Sequence, residues 1–348
     1  MDFIVVGIGW AGRRHVQAIQ CLRRRGHDVS VAALVDTDPA HLSDQSAELG
    51  VERTFGSLAA ALAETPAAEA VVLATPHHLH RQGTELAAGA GRHVLVEKPM
   101  ALSLTDADAM IRACRRAGVE LMVLESLRYQ RRAMEVARLV RAGRIGRVLF
   151  GRMNMIGRGR TTYAYPGRRA WLADPAVCGG GIWMLNGIHQ MSAARMFLGE
   201  VAEITAREVH SERFASGLEG TVAAMLRFES GAILHMTVSA ELHGYRRFGD
   251  LVLFGTDGTL GENGHDSSGI TLCTEQGTET IDCSESDDEA GESHFVRQMA
   301  EFLGSVAEGR RPETDGVSER ETLAAILAGY ESIRTGEPVR PERFAAPA

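Results

Sequence analysis

A short apolar strand that runs into a glycine turn and then a helix constrains the fold of this chain most. Three glycines follow residues 3–6 in the spacing Gly-x-Gly-x-x-Gly, at Gly7, Gly9 and Gly12. In a parallel α/β sheet the first glycine permits a tight turn, the second permits close approach of a pyrophosphate, and the third permits close packing of the helix on the strand. Free N–H groups at the helix start, where Trp10 and Ala11 lie, favour phosphate oxygens. The turn therefore predicts a dinucleotide site.

Short apolar runs alternate with amphipathic stretches over residues 1–124, as is typical of a Rossmann domain with a doubly wound parallel sheet. Strands are predicted at 2–7, 29–35, 70–75, 93–97 and 120–124. Helices are predicted between them at 11–25, 40–49, 79–90 and 104–117. The N-terminal part of the chain is therefore predicted to be an α/β domain that binds NAD.

From residue 125 to residue 348 the pattern changes to longer β-type runs broken by glycine turns. Strands are predicted at 148–155, 201–209, 222–228, 232–240 and 250–254, and helices at 182–198, 293–308 and 317–334. Residues 261–291 are predicted as exposed strand edges and loop. This part is predicted to be a substrate-binding α+β domain with a large, mostly antiparallel open sheet.

An acidic residue, Asp36, ends the second predicted strand. A carboxylate in this place accepts hydrogen bonds from the adenosine ribose hydroxyls and repels a 2′-phosphate, so NAD is favoured over NADP. The alternative is that Asp36 is a turn residue before a helix cap at Asp38.

A lysine, Lys98, lies at the carboxyl edge of the predicted strand 93–97, between Glu97 and Pro99. Ligands bind at this edge of an open α/β sheet. Because a dinucleotide site and a lysine placed in this way share one domain, the sequence predicts hydride-transfer chemistry.

Charge and composition disfavour several classes of partner. The 348 residues include 45 acidic and 37 basic side chains, a net charge of −8, which disfavours nucleic acid and anionic membranes. No apolar run is long enough to cross a bilayer and no basic leader is recognisable, so we expect a cytoplasmic protein. The five cysteines form no C-x-x-C pair, and histidines and carboxylates lack ligand spacing, so we expect neither disulfide nor metal.

Four motifs occur together along the chain. They are Gly7-x-Gly9-x-x-Gly12, Ala74-Thr75-Pro76-x-x-x-His80, the segment 90–99 ending in Glu97-Lys98-Pro99, and Gly143-Arg144-Ile145-Gly146. Together they resemble the glucose–fructose oxidoreductase, inositol dehydrogenase and rhizopine-catabolism (Gfo/Idh/MocA) family of oxidoreductases. The resemblance extends through Gly179-Gly180-Gly181 and His189 to about residue 340.

The resemblance implies a nicotinamide over the open sheet of the second domain and reversible oxidation of a secondary alcohol on a sugar, cyclitol or sugar derivative. It also implies homodimers or homotetramers packed through that sheet. Lys98 matches the lysine that hydrogen-bonds the reacting hydroxyl, and His189 matches the histidine that serves as general acid/base. The cofactor-binding residues are then Gly7, Gly9, Trp10, Ala11, Gly12, Asp36, Thr75, Pro76, His80, Glu97 and Lys98.

One position departs from the family pattern. Leu185 stands four residues after Gly181, where many members carry an aspartate that orients the substrate. Asn186 follows, but neighbouring residues of an α-helix point about 100° apart, so Asn186 is an unreliable replacement. Lys98 and His189 then form a dyad, and Asn186 is kept as a candidate substrate residue.

Residues 158–171 combine four arginines with two tyrosines and a tryptophan. Guanidinium groups bind phosphate and carboxylate oxygens in pairs, so Tyr163, Arg168 and Trp171 are candidate contacts for an anionic or nucleotide-linked sugar. The alternative is a solvated loop with arginines in surface ion pairs.

Two other functions stay open at this point. One is a non-catalytic regulator that binds NAD and senses a sugar, which the missing aspartate makes conceivable. The other is a glycoside hydrolase that uses NAD transiently and releases no net NADH. Retention of both Lys98 and His189 favours the dehydrogenase.

Overall fold

The computed structural model describes residues 1–156, 167–209, 218–241, 251–262, 269–284 and 293–345, with side chains in the second range described from residue 170. The chain divides into two compact units. The first comprises Met1–Ser126 and Ser286–Arg320, and the second comprises Leu127–Glu285 and Glu321–Ala348.

The first unit is built on a parallel sheet of six strands in the order β3-β2-β1-β4-β5-β6. Its strands are β1 (Asp2–Val6), β2 (Ser30–Val35), β3 (Thr54–Phe55), β4 (Ala70–Leu73), β5 (His93–Glu97) and β6 (Leu121–Leu124). The order reverses between β1 and β4, and ligands bind at the carboxyl ends of strands at such a reversal. The predicted α/β class and doubly wound sheet are confirmed.

Five helices follow the strands of this sheet. They are α1 (Trp10–Arg24), α2 (Pro39–Leu49), α3 (Leu58–Glu64), α4 (His80–Gly89) and α5 (Leu104–Ala117). Their ends follow capping chemistry: the Ser103 hydroxyl accepts the Asp106 N–H at the start of α5, and Gly118 ends it in the left-handed conformation. β3 and α3 were not predicted from the sequence, because two strand residues and seven helical residues carry too little periodicity.

A helix from the C-terminal half belongs to the first unit. This helix, α9 (His294–Glu308), packs on α1, with Phe295 edge-on to Trp10 and His15. Further along the chain, the Thr314 hydroxyl donates to the Val123 carbonyl at 2.7 Å. The first unit therefore differs from the contiguous domain expected at 1–124, since it also takes in residues 286–320.

The second unit is built on an eight-stranded sheet in the order β14-β13-β12-β11-β7-β10-β9-β8. The strands are β7 (Val148–Ile156), β8 (Val201–Val209), β9 (Thr221–Phe228), β10 (Ile233–Ser239), β11 (Leu251–Gly255), β12 (Gly258–Glu262), β13 (Gly269–Thr274) and β14 (Gly277–Asp282). Within the described strands, β10 pairs with β7 in parallel and the other pairs are antiparallel. The predicted large, mostly antiparallel sheet is confirmed.

The helices of the second half are α6 (Arg131–Arg141), α7 (Pro175–Cys178), α8 (Ile188–Leu198) and α10 (Gly316–Thr335), which crosses the boundary between the units. The sequence predicted one continuous helix over 182–198. Instead, a π-helical turn at Trp183–Gly187 precedes α8. No helix among the described residues is both long and apolar enough to cross a membrane.

Candidate cofactor and active site

The glycine turn after β1 packs tightly against the end of β4. Gly7 has φ +84°, and a Cβ at this residue would lie 2.5 Å from the carbonyl oxygen of Ala74. A Cβ at Gly12 would collide with the carbonyl oxygen of Gly7. Gly7 is therefore required by the close approach of the turn to the end of β4, and Gly12 by the close packing of α1 on that turn.

Gly9 differs from its two neighbours in the motif, because its free side faces open space. An added Cβ at Gly9 would meet no described atom within 4 Å. Gly9 caps α1 without a side-chain hydrogen bond, and the first turn of this fully described helix carries no acidic residue. The amides at Trp10 and Ala11 and the positive end of the helix dipole therefore fit a pyrophosphate.

The side chains around the start of α1 are largely engaged with protein partners. Trp10 is 55% exposed and stacks edge-on against Phe295, and the Arg14 guanidinium lies 5.6 Å from the centre of the Trp10 ring. Arg13 forms an ion pair with Glu48. The exposed face of the Trp10 indole is therefore available to a ligand.

Asp36 ends β2 and is held by the backbone of the turns beside it. Its Oδ2 accepts the Ile8 N–H at 3.0 Å, and its Oδ1 accepts the Asp38 N–H at 3.1 Å. These bonds fix the carboxylate at the carboxyl edge of the sheet, next to the glycine turn. Each oxygen has a second lone pair, so the turn role and a bond to ribose are compatible.

The loop after β4 carries a buried hydroxyl that fits a ligand. The Thr75 Oγ1 atom is buried and has no hydrogen-bond partner among the described residues. A buried polar atom of this kind is normally satisfied by a bound molecule or an ordered water. Because Thr75 and Pro76 follow β4 at the reversal of strand order, the position matches that of a dinucleotide.

His80 connects two loops at the same edge of the sheet. Its Nε2 lies 3.0 Å from the Thr75 carbonyl oxygen, and its Nδ1 lies 3.1 Å from the Pro99 carbonyl oxygen. Burial lowers the pKa of His80, and these two carbonyl oxygens oppose that shift. The side chain is 0% exposed, so it braces the two loops and presents no surface of its own to a cofactor.

Glu97 ties the end of β5 to α1. Its Oε1 lies 2.7 Å from Nε2 of His15, which is fully buried, and its Oε2 accepts the Lys98 N–H at 3.2 Å. The next peptide bond, Lys98–Pro99, is cis. The Glu97 side chain therefore contacts both α1 and the backbone that carries Lys98.

Lys98 is the only lysine of the chain, which also contains 36 arginines. Burial lowers the pKa of its amine below the ordinary value, while the negative charges of Glu125 and Glu97 oppose that shift without reversing it. Glu125 is fully buried just after β6. In the register of β5 with β6, Glu97 pairs with Leu124, so Lys98 and Glu125 follow at the same level.

Glu125 was not predicted from the sequence as part of this site. The sequence did contain a signal for Glu125: it directly follows an apolar strand, in the same position relative to its strand as Lys98. Parallel strands end at the same edge, so both side chains belong there.

In the second unit the π-helical turn separates Leu185 from its polar neighbours. Leu185 is buried in a cluster with Cys178 and Leu218, whereas Asn186 and His189 are partly exposed. A π turn adds one residue to a helical turn, so the spacing of a continuous α-helix does not assign faces here. Among the described residues, the Asn186 amide donates only to the Met155 sulfur, at 3.9 Å.

The predicted substrate loop is described in part. Trp171 packs against the cluster that contains Leu185 and is partly buried. Tyr163 and the side chain of Arg168 lie outside the described residues. In the described parts of the chain, no group of three or more His, Cys, Asp or Glu side chains could hold a metal ion.

Two family models match the chain. Residues 1–125 match "Oxidoreductase family, NAD-binding Rossmann fold", and residues 133–261 match "GFO/IDH/MocA C-terminal domain". A D-apiose dehydrogenase from Paraburkholderia graminis is 28% identical over 99% of this chain and 90% of its own length.

Two solved structures are similar over nearly the whole chain. An oxidoreductase from Agrobacterium radiobacter, in complex with NAD+, L-tartaric acid and magnesium, is 26% identical with a TM-score of 0.86 and 98% of each chain covered. The WlbA dehydrogenase from Bordetella pertussis, in complex with NADH and UDP-GlcNAcA, is 27% identical with a TM-score of 0.83, covering 98% of this chain and 97% of its own.

Proposed function

Because the chain belongs to the Gfo/Idh/MocA family of NAD-binding oxidoreductases, we propose that Lys98 and His189 are the acid/base groups of a sugar dehydrogenase or reductase. The hydride passes between NAD and a secondary alcohol or ketone of a sugar, cyclitol or sugar derivative. The chain is an NAD(P)-dependent oxidoreductase with an NAD-binding Rossmann domain, as predicted.

The observation that carries the proposal is the environment of Lys98. The Lys98 side chain is partly buried. Desolvation favours the neutral form of its amine, and the negative charges of Glu125 and Glu97 favour the charged form. A group balanced in this way can exist in either protonation state, which general acid–base catalysis requires. No other lysine of the chain could take this role.

NAD, when bound, supplies the hydride acceptor. In alcohol oxidation the neutral Lys98 Nζ accepts the hydroxyl proton of the substrate as the carbinol carbon loses hydride. In the reverse direction the protonated amine donates that proton to the carbonyl oxygen. Glu97 and Glu125 stabilise the charged amine that forms on oxidation.

His189 and Asn186 supply the remaining polar groups of the proposed site. Imidazole is the side chain most often used to move protons in catalysis, so His189 is the second acid/base group. The Asn186 amide has a thioether, a weak acceptor, as its described partner, so it keeps donor and acceptor capacity for a substrate hydroxyl. Asn186 thus takes the substrate-orienting role of the aspartate that many family members carry at the position of Leu185.

The substrate class follows from sugars and acids named for similar proteins. These are D-apiose for the dehydrogenase relative, and L-tartaric acid and UDP-GlcNAcA in the two solved complexes. The arginines of residues 158–171 suit the two anions, with Tyr163, Arg168 and Trp171 as proposed contacts. The substrate is therefore a sugar or sugar derivative, and both neutral and anionic forms belong in the test.

The experiment is a turnover screen that follows the absorbance of reduced nicotinamide. NAD and NADP are each offered with aldoses, cyclitols, uronic acids, sugar phosphates and nucleotide sugars. We expect reduction of NAD, and weaker reduction of NADP, with at least one class. NADH binding without turnover on any compound would favour the regulator, and cleavage of a glycoside without net NADH would favour the hydrolase.

The open face of the eight-stranded sheet supports a further part of the proposal, self-association. Ile233, Phe150 and Phe254 are directly opposite one another on β10, β7 and β11. The two phenylalanine rings stack at 4.5 Å, and Phe150 is 52% exposed. An exposed apolar row of this kind is typical of a surface that binds a second copy, so we infer a homodimer or homotetramer packed through this face.

Phe150→Asp is expected to dissociate that oligomer, because a carboxylate buried in the interface has no partner there. Light scattering with size-exclusion chromatography measures the mass. The variant should approach the 37.6 kDa of one chain, whereas the wild type should show a multiple of it. Leu86→Asp is the control, because Leu86 is similarly exposed, at 42%, but lies on α4 in the first unit. A monomeric wild type, or dissociation by both variants, would contradict the assignment.

A further inference from the structure

The start of the π-helical turn is completed by two residues from elsewhere in the second unit. The first four N–H groups of a helix have no acceptor inside it and need outside partners. Glu219 accepts three of them: Oε2 takes the Gly181 N–H at 2.9 Å, the backbone oxygen takes the Ile182 N–H at 3.0 Å, and Oε1 takes the Trp183 N–H at 3.1 Å. Glu219 is 5% exposed, so water does not compete for these bonds.

Tyr330 of α10 completes the set. Its hydroxyl oxygen accepts the Met184 N–H at 3.1 Å, and the same hydroxyl donates to Glu219 Oε1 at 2.6 Å. Two side chains and one carbonyl thus satisfy four successive amides and are also bonded to each other. We call this pair the Glu219–Tyr330 clamp.

The glycine run before the turn fits the shape of this clamp. A Cβ at Gly180 would collide with the Tyr330 hydroxyl, and Gly180 has φ +153°. A Cβ at Gly181 would collide with the Glu219 backbone oxygen and lie 2.7 Å from Oε2. The family motif Gly179-Gly180-Gly181 therefore provides the space in which the clamp reaches the backbone.

The turn that the clamp holds leads directly to the proposed site residues. Asn186 lies within the π turn and His189 in the first turn of α8. A π turn has i→i+5 bonds in place of the i→i+4 bonds of an α-helix, is rare, and occurs frequently at functional sites. We propose that Glu219 and Tyr330 are positioning residues that hold this turn and so fix Asn186 and His189 for the reaction. The inference rests on the proposed function for the role of those two residues.

Tyr330→Phe tests the clamp without changing a residue of the site. The chain offers a matched control in Ser332→Ala, because the Ser332 hydroxyl, also on α10, accepts one N–H, that of Ala206, and donates to one oxygen, that of Glu337. Tyr330→Phe and Ser332→Ala each delete a hydroxyl that accepts a backbone N–H and donates to an oxygen. Glu219→Gln is a second clamp variant. It replaces one of the two carboxylate oxygens by an NH2 group, which would face a backbone N–H, Gly181 or Trp183, and could not accept its hydrogen bond.

Hydrogen exchange of the full-length protein gives a readout that needs no substrate. Both clamp variants should speed exchange of the amides of residues 181–184 by about 10-fold, whereas Ser332→Ala should speed exchange near residue 206 instead. Unchanged exchange at 181–184, or equal acceleration there by Ser332→Ala, would overturn the clamp.

Turnover then tests the positioning role. With the substrate found in the screen, Tyr330→Phe and Glu219→Gln should lower kcat by about 10-fold and leave KM for NAD unchanged, since small displacements of catalytic groups have large effects. Ser332→Ala should keep the wild-type kcat. Faster exchange with unchanged kcat would overturn positioning. A wild type without turnover would contradict the proposed function, and exchange would still decide whether the clamp holds the turn.

Discussion

Lys98→Met is expected to lower kcat by about 10²–10⁴-fold, the range that a well-placed acid/base group contributes. Methionine has a similar length and no proton to exchange, so it fills the space of the partly buried lysine stem without the amine. The Kd for NADH, measured by fluorescence titration, should change far less than kcat, because the glycine turn and Asp36 are untouched. The comparison of kcat with Kd separates loss of chemistry from loss of cofactor.

Lys98→Arg is the matched control for charge. Guanidinium keeps the positive charge but does not deprotonate in proteins, so we expect a loss of kcat similar to that of Lys98→Met. Full activity of the arginine variant would show that a fixed positive charge is enough. Full activity of the methionine variant would remove Lys98 from the chemistry altogether.

Gly9→Val is expected to raise the Kd for NADH by about 10–100-fold, the equivalent of the 1–3 kcal/mol that overpacking costs. Since a Cβ at Gly9 meets no described atom within 4 Å, the variant should fold normally. The added side chain would occupy the space through which the pyrophosphate approaches the backbone. Gly7 and Gly12 do not allow this test, because a Cβ at either collides with the protein itself.

Gly56→Val is the control for the valine side chain. A Cβ at Gly56, which follows β3 in the same unit, also meets no described atom within 4 Å, and its φ is not in the left-handed region. We expect wild-type NADH affinity for this variant. Equal affinity of the Gly9 and Gly56 variants would place the pyrophosphate away from the glycine turn.

The elements that repeat a strong local pattern could be predicted from the sequence. The strands of the parallel sheet are short apolar runs, and β5 is buried at each of its three central residues, Val94, Leu95 and Val96. The glycine motif is a fixed spacing within six residues, from Gly7 to Gly12, between an apolar run and a helical pattern. Both signals are local, so neither needs knowledge of the tertiary structure.

The parts that depend on contacts distant in sequence could not be predicted. Glu219 lies 38 residues from Gly181 and Tyr330 lies 146 residues from Met184, so no spacing rule relates them. The packing of α9 on α1 is another example. Phe295 contacts Trp10 and His15 near the other end of the sequence, and no spacing rule predicts that contact. The π turn was missed because its residues are as apolar as those of an ordinary buried helix.

The departure at Leu185 has a physical explanation in the structure. Its side chain completes an apolar cluster with Cys178 and Leu218, against which Trp171 packs. An aspartate there would be buried among apolar groups, at a large cost in solvation. The polar role therefore falls to Asn186 in our proposal.

The most direct test of the central claim is a pH titration of Lys98 by NMR. Because the chain has one lysine, protein labelled with [ε-13C]lysine gives a single side-chain resonance. The account predicts a midpoint below the ordinary lysine pKa of about 10.4 and sugar oxidation that rises with pH through the same midpoint, since the neutral amine is the base. A resonance that titrates at the ordinary value, or a rate that does not follow it, would contradict the account.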